Sequence, residues 1–411
     1  SRHGELAILR GSTLIAQNVQ LGVGIESFGL TRVEGTASRL NSDQLSVGMK
    51  GQGELRVSQG GQVRILNGEI GRIGSELDQS IGLVQVEGDG SRLVADFGII
   101  LGQRFATGTL NIVDGGRVET GSIFIGGNDV ATHQIADGQV NVAGVGSVLK
   151  TNGNLVVGSP VSSIVGNLMI SDRGTVDVGQ TLTNMAGTGT ITLSGGRIVA
   201  SSIDHYHQMG FSSSNNSLFG QVTLHSGSLV HANQESETTF WGDVNIQTGV
   251  SLAGDGMVDF RGTLNIGNSP GIQEFGFNVG LLSSSTLRVE IGGIDISVPE
   301  YDQYIFLQDL ELSSGTLLVE LIGLSDPSLP YLPSLGDQFN IFQVDGVLTG
   351  TFGTIALPSL TEGLAWDVSQ LYSHGQLSVV NAVPEPSSAL TVLLVGLGLI
   401  SHRRRKGNTA H

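Results

Sequence analysis

Carboxylates and histidines are the side chains of this 411-residue sequence whose types and spacing bear on chemistry; there is no Cys to serve as nucleophile, thiolate ligand or disulfide partner. Cleavage of a glycosidic bond needs two carboxylates within roughly 5–10 Å, or carboxylates set against Arg or Lys. The available acids are Asp89, Asp96, Asp114, Glu119 and Asp137. The second set is Asp204-His205-Tyr206-His207 with His225 and His231. A His-x-His on a strand turns both rings to one face, which zinc can use; the Ser- and Asn-rich stretch 211–217 nearby makes exposed loop residues the simpler reading. Neither an Asp-x-Asp-x-Asp-Gly calcium loop nor a Gly-x-x-x-x-Gly-Lys phosphate loop occurs. The expectation is no catalytic, cofactor or metal-ligating residue, with calcium at most settling weakly between acidic turns.

Whether these groups can meet depends on the elements that carry them. Gly numbers 62 against 9 Pro, so collagen, which needs abundant Pro and Gly at every third position, is excluded. With 39% apolar residues the chain can bury a core, and disorder is not expected. Twenty Lys plus Arg against 37 Asp plus Glu leave a formal charge of −17. That charge repels a phosphate backbone, so no nucleic-acid partner is expected. A Cys-free chain suits folding outside the cytoplasm.

One pattern, Gly-x-apolar-x-apolar, opens at Gly4, Gly53, Gly82, Gly108, Gly138, Gly166, Gly189, Gly220, Gly242 and Gly262, with a degenerate copy at Gly29. The mean step is about 26 residues, inside the window of stacked repeats. Alternation at period two is a strand with one buried face, and the Gly supplies the turn before it. A second run follows, as in Ser38-Arg-Leu40, Ser91-Arg-Leu93 and Ser147-Val-Leu149. A third ends in Gly, as in Leu45-Ser-Val47-Gly48 and Ile123-Phe-Ile125-Gly126. Three short strands per unit describe one triangular coil of an all-β, right-handed parallel β-helix over residues 1–270; a sandwich or propeller is the alternative. About eleven coils at ~4.8 Å give a rod of roughly 50 Å.

Counted from the Gly that opens each coil, Asp89 falls at +7, Asp114 at +6 and Glu119 at +11. His205, His225 and His231 fall at +16, +5 and +11. Unequal offsets do not stack these groups into one site. After Pro270 the period fails and longer alternating strands appear, such as Thr286–Ile291 and Gln376–Val380. Residues 271–382 are expected to form a β-rich region capping the last coil, with Phe352, Trp366 and Tyr372 in its core and not on a sugar-stacking platform.

The tail 383–411 is built in three parts: Val383-Pro384-Glu385-Pro386, an apolar run from Ala389 to Ile400, and the cations Arg403, Arg404, Arg405 and Lys406. Twelve apolar residues fall short of the ~20 that span hydrocarbon comfortably, but with flanks 387–401 a short helix can cross a thinned bilayer. The basic end then stays cytoplasmic and everything before Val383 lies outside. An ordinary C-terminal tail anchor is the plainer alternative.

The order of these parts resembles the PEP-CTERM sorting signal of Gram-negative bacteria, whose recognition elements here are Pro384, Glu385, Pro386, Arg403, Arg404 and Arg405. The resemblance implies export, transient tethering in the inner membrane, processing near the Pro-Glu-Pro by an exosortase-type membrane protease, and delivery to the cell surface or an exopolysaccharide matrix. The Gly-rich repeats, Asn-Ser-Pro-Gly at 268–271, Tyr301-Asp302-Gln303 and Leu-Ser-Val-Val at 377–380 are similar to passenger regions of such proteins and of autotransporter-like adhesins. The chain opens at Ser1 without a signal peptide, which reads as a processed or fragmentary N-terminus. The function expected is non-enzymatic: a structural, adhesive or polysaccharide-associated surface protein. A secreted β-helical polysaccharide lyase or glycoside hydrolase is the alternative.

Overall fold

Strict alternation builds the first face of every coil. The computed structural model describes residues 2–71, 80–127, 135–159, 163–185, 188–267 and 270–383. Strands Gln52–Ser58, Ser80–Glu87, Ala106–Val113, Ala136–Ala143 and Ile164–Ser171 run parallel within one sheet of eleven strands. Gly53, Gly82, Gly108, Gly138 and Gly166 face one another in successive rungs. The same register stacks Leu55, Val84, Leu110, Val140 and Leu168 into one buried inward column. The fold is thus an all-β parallel solenoid, and each wholly buried Leu or Val in it contributes about 1.5–3 kcal/mol.

The second and third runs are less separate than the sequence suggests. In coils such as Arg92–Leu101 and Arg117–Ile125 they form one long strand, bent where the register shifts between Thr120 and Ser122. The corner is a bulge, not a loop, so the ladder continues around it. In the next coil the two halves part into Val148–Thr151 and Leu155–Val157, both pairing back onto Arg117–Ile125.

Turn chemistry explains two recurring residue types. Gly48 adopts φ +73°, and a Cβ there would collide with the Ile81 carbonyl one coil on, so no other residue fits. Where a Ser opens the second run, it is buried at the first corner. Ser38, Ser91 and Ser147 accept from the backbone N–H of Gly11, Gly60 and Gly115 at 3.0, 3.0 and 3.1 Å. The N–H groups of Gly60 and Gly115, both buried, would otherwise lack a partner.

The interior changes character along the axis. Early coils are filled by Val, Leu and Ile; later ones by a run of rings, with Phe240 stacked on Phe260 at 5.4 Å and Phe275 on Phe306 at 5.1 Å. Parallel pairing also passes residue 270, where the sequence period fails. Thr263 faces Thr286, Arg288 faces Leu318, and Thr316 faces Thr354. Segments between rungs lengthen here, as at 292–302 and 322–337, and the longer connections hide the repeat. An antiparallel sheet then joins Gln338–Asn340, Gln376–Asn381 and Leu364–Asp367, with one helical turn at Leu371–His374. Phe352 is buried and Trp366 half-buried against Phe339, its Nε1 donating to the Pro358 carbonyl at 2.8 Å. Tyr372 is exposed, so it is not core as the sequence suggested; its hydroxyl accepts from the Phe352 N–H at the edge of the packing.

Among the described residues no helix is long and apolar enough to cross a membrane. The short apolar helix expected within 387–401 lies outside them.

Candidate functional site

The five carboxylates weighed for catalysis are spread over different turns and strands. Asp96 meets Arg64 of a neighbouring coil at 3.1 Å, and Glu119 meets Arg92. Both pairs join outward residues on adjacent rungs, where opposite charges stabilise a ladder modestly. Asp114 is an exposed turn residue at φ 50°, and the Asp89 carboxylate lies against Gly115 in the space a Cβ would take. Asp137 stands apart, and burial pushes its carboxyl above the usual range, with Gln139 pulling it back.

The histidines divide between inside and outside. Strand Arg197–His205 ends at His205, which points into the core. Its Nδ1 accepts from Asn184 Nδ2 at 3.0 Å, and Nε2 lies 3.3 Å from the Leu229 carbonyl. Burial is the main force holding its pKa down at about 4; His207 and His225 lower it further, while the Leu229 bond opposes them. The reading of exposed loop residues therefore fails at His205. His-x-His also fails to put both rings on one face, because the strand stops before His207 and period two no longer applies. His225 is half-buried, stacked on Tyr206 at 3.7 Å with its buried Nε2 3.7 Å from Asp204 Oδ1, and His231 is exposed. Among the described residues no three His, Asp or Glu gather as metal ligands.

Two outward features escape a reading of motifs. The first is a stack across consecutive coils: Arg197 over the Phe219 ring at 4.5 Å, Phe219 against Trp241 at 5.1 Å and 10°, and Arg261 over Trp241 at 4.1 Å. Ring faces and guanidinium planes cover one another, so the rings offer edges and not free faces to a ligand. Asp259, two residues before Arg261, is pushed up to about 6 by burial first, then by Glu237 and Glu311. The one-coil spacing of Phe219, Trp241 and Arg261 was the available signal.

The second is a shallow groove of about 310 Å³ on the third face, lined by Gln221, Thr223, Asp243, Asn245, Thr263, Asn265 and Arg288. Register aligns Thr223, Asn245 and Asn265 in one outward column. Asn265 Nδ2 donates to Asn245 Oδ1 at 3.4 Å, and Asp243 Oδ1 accepts from the Thr263 N–H at 2.7 Å. Arg288 is saturated by Glu320 at 2.6 Å, Glu290 at 2.5 Å and Asn265 at 3.2 Å. The groove is therefore a hydrogen-bonding surface with its cation already neutralised, suited to hydroxyl-rich and not to anionic ligands.

The last strand, Gln376–Asn381, hands the chain directly to its sorting segment. Residues 382–406 match the family model of the PEP-CTERM protein-sorting motif. No curated protein matches the chain. The protein is therefore an exported one, sorted to the cell envelope or surface, whose motif marks it for exosortase-mediated processing. Pro384, Glu385, Pro386, Arg403, Arg404 and Arg405 all fall inside the matched stretch and outside the described residues.

Proposed function

We propose that this protein is a structural or adhesive component of the cell surface or extracellular matrix, associated with exopolysaccharide and without enzymatic activity of its own. In this reading the segment 387–401 tethers the chain in the inner membrane, processing near Pro384-Glu385-Pro386 releases it, and the solenoid body is displayed outside. The observation that carries it is the succession of parts in one chain: a parallel solenoid with aligned Thr and Asn side chains on its outer surface, the antiparallel sheet that follows it, and a sorting motif that starts at residue 382 directly after that sheet's last strand. Outward carboxylates tied to Arg on neighbouring rungs support a surface whose charges serve cohesion.

Two measurements test this reading. Mass spectrometry of the mature surface form is expected to lack the C-terminal peptide; recovery of Arg403 to His411 on that form refutes processing. Incubation of the purified protein with acidic and neutral polysaccharides is expected to give retention without cleavage. Release of unsaturated ends would instead establish a polysaccharide lyase, and release of reducing ends a glycoside hydrolase.

A further inference from the structure

The C-terminal part of the body holds a cluster of aliphatic side chains out in water. Leu329, Leu332 and Leu335 are 70, 70 and 57% exposed, and Leu324 is exposed beside them in sequence. Leu324 packs its Cδ2 where a Cβ on Gly292 would be 2.7 Å away, which brings the neighbouring loop of exposed Ile294 and Val298 alongside. Large aliphatic side chains left exposed at several positions of two adjoining loops are the kind of surface that serves as an interaction site.

Prolines and hydrogen bonds define this pose. Pro327, Pro330 and Pro333 fix their φ angles. Asp326 accepts from the Ser328 N–H at 2.9 Å, Tyr331 N–H donates to the Ile322 carbonyl at 2.8 Å, and Asp337 Oδ2 accepts from Tyr331 Oη at 2.6 Å and Ser334 N–H at 2.7 Å. Gly336 N–H then donates to the Val379 carbonyl at 2.9 Å. Leu335 is therefore pinned beside the strand that leads into the sorting segment, where Val383 is 88% exposed.

Chain length decides what lies opposite. Only residues 384–388 separate Val383 from the apolar run that begins at Ala389. Fully extended, the six steps from Val383 to Ala389 reach about 20 Å. While that run lies in a bilayer, the end of the body is held within this distance of the same bilayer's surface. There is no Lys or Arg between Arg288 and Arg403, so the loop offers no Lys or Arg charge to anionic headgroups, and its affinity for a bilayer would have to come from apolar burial.

We propose that the loop carrying Leu329, Leu332 and Leu335 is a lipid-contacting surface that docks on the membrane in which the tail is tethered, fixing the tilt of the rod while the Pro-Glu-Pro is presented for cleavage. The proposal rests on the tethering reading above, and the test separates the two. Because the chain has no Cys, single labels are clean. The full-length chain carrying Leu332→Cys, Leu394→Cys or the distant exposed Ser214→Cys is labelled with an environment-sensitive fluorophore. Each is reconstituted in phosphatidylcholine vesicles, with and without phosphatidylglycerol, containing a nitroxide-bearing lipid.

Quenching at 332 several-fold above that at 214, with quenching at 394, supports the proposal; it should not grow with phosphatidylglycerol or fall with salt. Quenching at 394 with 332 no different from 214 overturns the proposal and leaves tethering standing. No quenching at 394 overturns both. A blue shift at 332 without vesicles that rises with protein concentration would assign the loop to a second copy of the chain, and the lipid proposal falls. A Leu329→Ser, Leu335→Ser background is expected to lower quenching at 332 while leaving 394 unchanged.

Discussion

Asn184 Nδ2 donates to His205 Nδ1 at 3.0 Å, and both side chains are wholly buried on facing rungs of the third face. The imidazole must be neutral to accept that bond. Its pKa is held at about 4, chiefly by burial, whereas an unfolded His titrates near 6.5. Between these values the unfolded chain holds the extra proton, so stability rises with pH across that window and the contribution is complete above it. The full effect is about 3 kcal/mol at 1.36 kcal/mol per unit. His205→Gln is expected to flatten this dependence. Urea midpoints on either side of the window measure it, and an unchanged slope in the variant refutes the assignment.

Gly48→Ala tests the close approach of coils. The left-handed φ and the Ile81 carbonyl both oppose a Cβ, so a loss of at least about 2 kcal/mol is expected. Gly363→Ala, at φ +87° with open space around it, separates the two causes, since only the conformational part is lost there. Equal losses at the two positions would show that packing between coils contributes nothing.

Ser147→Ala removes a hydroxyl that accepts from Gly115 N–H at 3.1 Å and donates to the Ala143 carbonyl at 2.6 Å. An orphaned buried N–H costs about 1–3 kcal/mol. Denaturant titration reads the loss, and amide exchange at Gly115 should accelerate with it. Protection left intact at Gly115 would mean that another group satisfies the corner.

Asp259→Asn should stabilise the protein near neutral pH. The carboxyl, raised from 3.8 to about 6, keeps its proton longer in the folded chain, so its ionisation lowers stability as pH rises across that window. Partial exposure screens the effect, leaving about 1 kcal/mol to recover. Thermal melts below and above the window test this: the gain should appear only above it.

The sequence made the first face legible because Gly53, Leu55 and Val57 carry both the turn and the alternation, and their partners Gly82, Val84 and Val86 repeat them residue for residue. His205 was misplaced because the count from Gly189 crosses a corner. Register shifts between Val199 and Ser202, so offsets from the opening Gly lose their meaning beyond it. Aligning third runs instead, Leu182-x-Asn184 with Ile203-x-His205 and Val222-x-Leu224, would have turned His205 inward. The groove on the third face was illegible for a different reason. Thr223, Asn245 and Asn265 are unremarkable in sequence and become a column only through pairing between coils.

Residue-for-residue pairing between coils also restricts how such a chain can change its length. Inserting a single residue within Gln52–Ser58 would reverse the parity of every side chain after it, throwing Leu55 or Val57 outward and leaving its partners on both neighbouring rungs facing a hole. Duplicating an entire turn leaves each neighbour with the partner it already had. Evolution, or a protein engineer, can therefore lengthen this molecule only in quanta of one complete circuit, and the length of its body is digital where its loops are free to drift.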